Sequence, residues 1–112
     1  MANLDLQFAD KRKYDHVLDI GVGNGATTKY ISTHFFCNSI IGIDISEKAI
    51  EQAKTKNLEN NIRFEKRDIK ETQYPSESFE LICAFQNHFH WEDLHQSFLE
   101  IKRIMSKDGI LL

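Results

Sequence analysis

"VLDIGVGNGA", Val17 to Ala26, is the stretch whose reading decides the fold. It gathers three of the chain's five glycines, Gly21, Gly23 and Gly25, behind an apolar run that carries an acid, Asp19, near its end. Glycine admits positive φ and has no Cβ to hold a ligand off the backbone. The stretch therefore reads as a strand, a tight turn whose main chain approaches a ligand, and the start of a helix. Its spacing satisfies G-x-G-x-x-[GA], with Ala26 in the last place, a turn that receives adenosine-containing ligands. The glycines alone do not separate NAD from another adenosine ligand.

Outward from this turn the chain alternates in type. Short β-branched runs read as strands at His16–Ile20, Ser39–Asp44, Ile62–Glu65 and Glu80–Phe85, and Ile110-Leu111-Leu112 as the opening of a fifth. Ala26–Phe35 and Glu47–Lys56 read as helices, the second with Ser46 as N-cap and with Ala49, Ile50 and Ala53 on one face. Glu92–Met105 is the clearest helix, with Leu94, Phe98, Ile101 and Met105 forming an apolar stripe. Asp108-Gly109 punctuates the chain before the last strand. Lys70–Ser78 is polar, holds the single proline, and is expected to carry little regular structure. Strands alternating with helices imply an α/β domain with a parallel sheet and right-handed crossovers. Such a sheet binds its ligand outside the carboxyl ends of the strands.

Length and composition bound the rest. A chain of 112 residues is one domain. The formal net charge of −3 gives no electrostatic reason to expect nucleic acid, and Lys11-Arg12-Lys13 is the only basic run. No apolar stretch approaches the roughly 20 residues of a membrane span, and the N-terminal residues lack the apolar core of a signal peptide. Cys37 and Cys83 sit among apolar residues without C-x-x-C spacing, so reduced thiols in a cytoplasmic protein are expected.

Three acids then narrow the ligand. Asp19 precedes the turn by two residues, and a carboxylate there would repel the pyrophosphate of a dinucleotide while suiting a ligand with a cationic amine. Asp44 ends the second strand in "IIGIDIS", where an acid can accept both ribose hydroxyls, and Ile45 beside it can pack on an adenine face. Asp68 follows the third strand in "FEKRDIK".

"VLDIGVGNG" resembles the first motif of the class I S-adenosylmethionine-dependent methyltransferases, whose cofactor carries an amine and a sulfonium. "YPSESFELICAFQNHFHW" resembles the family's fourth-strand region, with Glu80 where Asp is usual. "FLEIKRIMSKDGILL" resembles the helix that leads into its fifth strand, with Lys107 and Asp108 replacing the usual proline and first glycine. The pattern matches the methyltransferase type 11 group of small-molecule enzymes over about Tyr14 to Leu112. The resemblance implies a three-layer, Rossmann-like open sheet, mostly parallel, in strand order 3-2-1-4-5. It also implies cofactor contacts from Asp19, Gly21, Gly23, Asp44, Ile45 and Gln86, with Asp68 facing the exocyclic amine of adenine and Ile69 covering the ring.

"QNHFHW", Gln86 to Trp91, follows the fourth strand, where the reacting atoms should meet. Methyl transfer from a sulfonium chiefly needs an acceptor held in line. A base helps only where the acceptor must lose a proton, and His90 is the candidate, His88 the lesser one. Gln86 and Asn87 are expected at the methionine end of the ligand or in fixing the loop. A metal reading of His88, His90, Asp93 and His95 is set aside for want of paired ligand spacing elsewhere.

The expectation is a small-molecule methyltransferase that binds S-adenosylmethionine and no metal, nucleic acid or membrane. An NAD(P)-binding domain is the alternative, with Ala26 and Asp44 for it and Asp19 and Asp68 against. Family members continue past this length with further strands, and "GILL" reads as an apolar strand cut short. Either the chain is a fragment that binds cofactor without turnover, or a dimer or partner covers the open edge.

Overall fold

The computed structural model describes residues 12–85 and 91–112. Gln86, Asn87, His88 and His90, all assigned roles above, lie outside the described residues. The elements are β1 (Lys13–Ile20), α1 (Ala26–His34), β2 (Phe36–Asp44), α2 (Glu47–Lys56), β3 (Ile62–Lys66), β4 (Phe79–Cys83), a 3-10 turn (Trp91–Asp93), α3 (Leu94–Ile104) and β5 (Met105–Leu111). One sheet holds the strands in the order β3-β2-β1-β4-β5, and every pairing is parallel. The expected strand order is therefore the observed one.

Central parallel strands bury both faces, so they need continuous apolar runs rather than alternation. β1 provides one: Val17 faces a core with Val22, Ile31, Ile40, Ile50, Ala53 and Leu81, beneath α1 and α2. Leu18 and Ile20 face the opposite core with Ile43, Ile82, Ile101 and Ile104, beneath α3. Adjacent residues serve opposite layers, and the result is the expected three-layer arrangement. Among the described residues no helix is long and apolar enough to cross a membrane.

Some boundaries differ from the sequence reading. β1 and β2 each begin three residues earlier than β-branching suggested, because Lys13 and Phe36 pair across the two strands at their shared start. The fourth strand ends at Cys83 rather than Phe85. The long helix begins at Leu94, after the 3-10 turn, and its buried face is Ser97, Ile101 and Ile104 rather than the Leu94-Phe98-Ile101-Met105 stripe. Phe98 is 47% exposed, and Met105 has left the helix to pair with Phe79 as the first residue of β5. That direct entry into the sheet turns the face carrying Ile104 inward, and a small serine at 97 lets the helix lie close. β5 then bulges, with Met105 opposite Phe79 but Ile110 opposite Leu81. Asp108-Gly109 lies within this bulge instead of before the strand, and a side chain at Gly109 would collide with Met105.

Lys70–Ser78 contains no helix or strand, as its composition suggests, and neither do residues 67–69 before it, yet the segment is firmly tied. Buried Thr72 donates from its amide and hydroxyl to Glu100 Oε2 at 2.9 and 2.7 Å. Arg103 spans Glu100 and the Tyr74 carbonyl, and Arg67 donates to the Thr72 carbonyl at 2.7 Å and lies over the Tyr74 ring. Hydrogen bonds from Arg103 and then Thr72 outweigh burial and hold Glu100 at a pKa of about 2.

Gly25 is the N-cap of α1 at φ 91°, and a Cβ there would sit 3.2 Å from the Ala53 Cβ and run into Asn57, both at the end of α2. Strain and collision act together, so Gly25→Ala is expected to lower the unfolding free energy by roughly 1–3 kcal/mol. Denaturant unfolding checks this, and an unchanged midpoint would show that the two helices do not meet there.

Candidate ligand site at the carboxyl ends of the strands

The turn after β1 is folded onto the end of β2. The amides of Gly21 and Val22 both donate to the Ile43 carbonyl, at 2.8 and 3.3 Å, and Gly25 donates back to the Val22 carbonyl at 2.9 Å. Gly21, Gly23 and Gly25 all have positive φ, at 74°, 56° and 91°. Val22 drops between them into the core above Gly42, where a Cβ would approach the Val22 Cγ1 to 2.6 Å. The side chain thus fixes the turn from below, with Gly21 and Gly23 left half-buried and Gly25 buried.

Asp44 joins this turn to the next helix. Its Oδ2 accepts from the Gly23 amide at 3.2 Å and its Oδ1 from the Ser46 amide at 2.9 Å. Ser46 in turn caps α2, as expected, by accepting from the Ala49 amide. A carboxylate has about four acceptor sites, so both Asp44 oxygens retain capacity for further donors. Ile45, next in the chain, is 69% exposed, an apolar side chain standing in solvent beside that carboxylate.

Asp19 is the unusual group. It lies opposite Gly42 on one side and Cys83 on the other, at the middle of the sheet, and is fully buried. The hydroxyls of Thr27 and Thr28, in the first turn of α1, both donate to its Oδ2, at 2.9 and 2.7 Å. Its Oδ1 has no hydrogen-bond partner among the described residues. Burial raises its pKa to about 6, against the pull of the two threonine hydroxyls. Cys83, raised by burial and then by the charge of Asp19, remains a neutral thiol at every ordinary pH.

The third acid stands apart. Asp68 is exposed, accepts from the Lys70 amide at 2.9 Å, and lies 3.8 Å from the Lys70 ammonium, which also reaches Asp93 at 3.4 Å. Ile69 is half-buried and packs on the core beneath α3. The end of β3 is nonetheless tied to the site, since the Arg67 amide donates to the Asp44 carbonyl at 3.1 Å.

Of the residues expected from sequence, Asp19, Gly21, Gly23, Asp44 and Ile45 are thus brought to the ends of two neighbouring strands, with Asp68 and Ile69 on the third. Thr27 and Thr28 were not expected. A threonine pair at a helix start does not by itself disclose the acid that it binds. His95 is exposed on α3, and among the described residues no three potential metal ligands come together. The set of groups fits a nucleoside with a cationic tail: a glycine turn whose Gly21 and Gly23 are half-buried, one buried carboxylate oxygen without a partner among the described residues, and a second carboxylate with spare acceptor sites.

Comparisons with known proteins bear on this arrangement. A family model described as a methyltransferase domain matches residues 18–112. The uncharacterized methyltransferase YcgJ of Bacillus subtilis is 31% identical over 97% of this chain and 44% of its own length. Its crystal structure superposes with a TM-score of 0.84 at 28% identity, covering 97% of this chain and 47% of that one. The 27-O-demethylrifamycin SV methyltransferase of Amycolatopsis mediterranei is 31% identical over 89% of this chain and 38% of its own length. An S-adenosylmethionine dependent methyltransferase from Mesorhizobium loti shares the fold, with a TM-score of 0.80 at 22% identity over 96% of this chain and 49% of that one. The chain spans less than half the length of each of these relatives.

Holding Asp19 ionised works against folding. A carboxyl at about 6 in the native state and at its ordinary 3.8 when unfolded favours the fold below pH 3.8. That advantage is lost as pH rises through about 6, a difference of roughly 3 kcal/mol. The stability of Asp19→Asn relative to the unaltered protein should therefore climb between about pH 4 and pH 6.5 and then level off. Urea titrations across that range measure it, and a difference independent of pH would show that Asp19 is not held in this way.

Proposed function

The chain belongs to the methyltransferase domain family, and from that premise we propose that its glycine turn and strand-end acids hold S-adenosylmethionine for methyl transfer to a small molecule. The family is S-adenosylmethionine-dependent. When bound, the cofactor supplies a methyl group made electrophilic by its sulfonium. Everything else falls to the chain's own residues. Asp19 takes the ammonium of the methionine tail, Gly21 and Gly23 let the ligand lie against the main chain, and Asp44 accepts the ribose hydroxyls. Ile45 covers one face of the adenine, Asp68 takes its exocyclic amine and Ile69 closes the pocket behind. Gln86 contacts the methionine part. His90 is the proposed base for an acceptor that must lose a proton.

The observation that carries this reading is the Oδ1 of Asp19, unpaired among the described residues. A buried carboxylate oxygen without a donor is costly, and such groups in native proteins call for an explanation. A cationic tail arriving over a glycine turn supplies one, whereas the pyrophosphate of NAD would meet repulsion. A small-molecule acceptor is supported by the net charge of −3 and by the relative whose name states a rifamycin substrate. Action in the cytoplasm is supported by two free cysteines, one buried and one half-buried.

A second reading is favoured by length: a span under half that of its relatives supplies the cofactor end of the fold, with acceptor recognition residing elsewhere. A labelled-methyl transfer assay over candidate acceptors separates binding with turnover from binding alone.

Calorimetric titration with S-adenosylhomocysteine tests the cofactor directly. Binding is expected, with NADH failing to compete. Asp44→Ala should weaken it by about 2–3 kcal/mol, roughly 30- to 150-fold, from the loss of hydrogen bonds to a charged group. Absence of binding by folded protein, or displacement of the ligand by NADH, would contradict the proposal.

A further inference from the structure

Asp19 is held asymmetrically. Two hydroxyls converge on Oδ2, from Thr27 at 2.9 Å and Thr28 at 2.7 Å, while Oδ1 is buried without a partner among the described residues. A merely structural acid in this position would gain by sharing two donors between two oxygens, since each unpaired buried oxygen costs desolvation. Doubling both on one oxygen fixes the carboxylate plane and leaves the other oxygen free to accept. The donors are also well anchored. Thr28 is fully buried, and both sit in the first turn of α1, which has no acidic residue of its own and no side-chain cap at Gly25. The helix therefore finds its anion in Asp19, and Asp19 its orientation in the helix.

Resting on the cofactor reading above, we propose that Thr27 and Thr28 are positioning residues: they grip one oxygen of Asp19 so that the other is presented to the ammonium of the methionine tail, and so make ligand affinity depend on the protonation of Asp19. Protonated Asp19 offers that ammonium a neutral hydroxyl or carbonyl in place of a charge. Among the described residues, the groups packed around it add no competing titration. β2 brings Gly42, α1 brings the two threonines, and β4 brings Cys83, whose thiol is pushed far above neutrality. Burial raises Asp19 and the two hydroxyls hold it back to about 6, which keeps its anion available near neutral pH.

Two ligands separate the consequences. S-Adenosylhomocysteine carries the amino acid tail, and 5′-methylthioadenosine is the same nucleoside thioether without it. Affinity for the first should fall as pH drops through about 6, approaching tenfold per pH unit, and affinity for the second should stay flat. Thr28→Val should move the fall for S-adenosylhomocysteine upward by about one pH unit, an approximately tenfold loss near pH 6, with recovery to within about threefold by pH 8. Thr28→Ser should restore the original profile. Thr27→Val, at a half-buried position, should shift it the same way by less, and it carries the test if Thr28→Val does not fold.

Calorimetric titration of both ligands between about pH 5 and pH 8 reads all of this. Superimposable profiles for the threonine variants and the unaltered protein would overturn the inference, as would an equal loss of both ligands, the mark of a structural role alone. Binding of S-adenosylhomocysteine that is flat with pH would overturn it too, while leaving the cofactor reading intact. Failure of the unaltered protein to bind either nucleoside would overturn the cofactor reading itself.

Discussion

An ionised carboxylate at the middle of a parallel sheet is a constraint around which the rest of this domain is organised. Asp19 sits between two strands, out of water, where a charge persists only with compensating donors. The chain supplies two of them, Thr27 and Thr28, by starting a helix directly above the strand end. That start requires the main chain to reverse within a few residues, and the three positive-φ glycines make the reversal possible. The reversal leans on β2, through the Ile43 carbonyl and the Asp44 carboxylate. One buried acid, one glycine turn and one neighbouring strand end thus form a single unit. Within it, ionising Asp19 near neutral pH lowers the stability of the fold relative to its protonated form.

The polar segment between β3 and β4 is held in a different way. With no helix of its own it cannot pack as a layer, and its backbone groups need partners from elsewhere. Glu100 and Arg103 on α3 and Arg67 at the end of β3 provide them. The ties hold the segment that begins with Asp68 and Ile69 against the same core that α3 covers. That segment is therefore placed by side-chain to backbone bonds, whereas the turn after β1 is placed by glycine geometry.

Much of this was legible in the sequence, because its signals are local. The glycine spacing, the acids at strand ends, the Ser46 cap and the alternation of strand and helix each rest on residues close in the chain. The strand order came with the family resemblance. The face of α3 was misread because Leu94, Phe98 and Met105 are apolar and well spaced, whereas the burying face includes a serine. What decides that face is the entry of Met105 into β5, a contact with Phe79 far away in sequence. The bulge in β5 was hidden for the same reason. Thr27 and Thr28 were passed over because nothing in a threonine pair discloses that a buried carboxylate lies above it; only the turn between them does that.

The central claim is that Asp19 keeps one oxygen for a cationic tail. A crystal structure of the protein with S-adenosylhomocysteine tests it most directly. The account predicts the ligand's amino nitrogen at hydrogen-bond distance from Asp19 Oδ1, with Oδ2 still held by Thr27 and Thr28 and the ribose hydroxyls on Asp44. A nucleoside bound away from the glycine turn, or an amino group pointing to solvent with Oδ1 still unpaired, would contradict it.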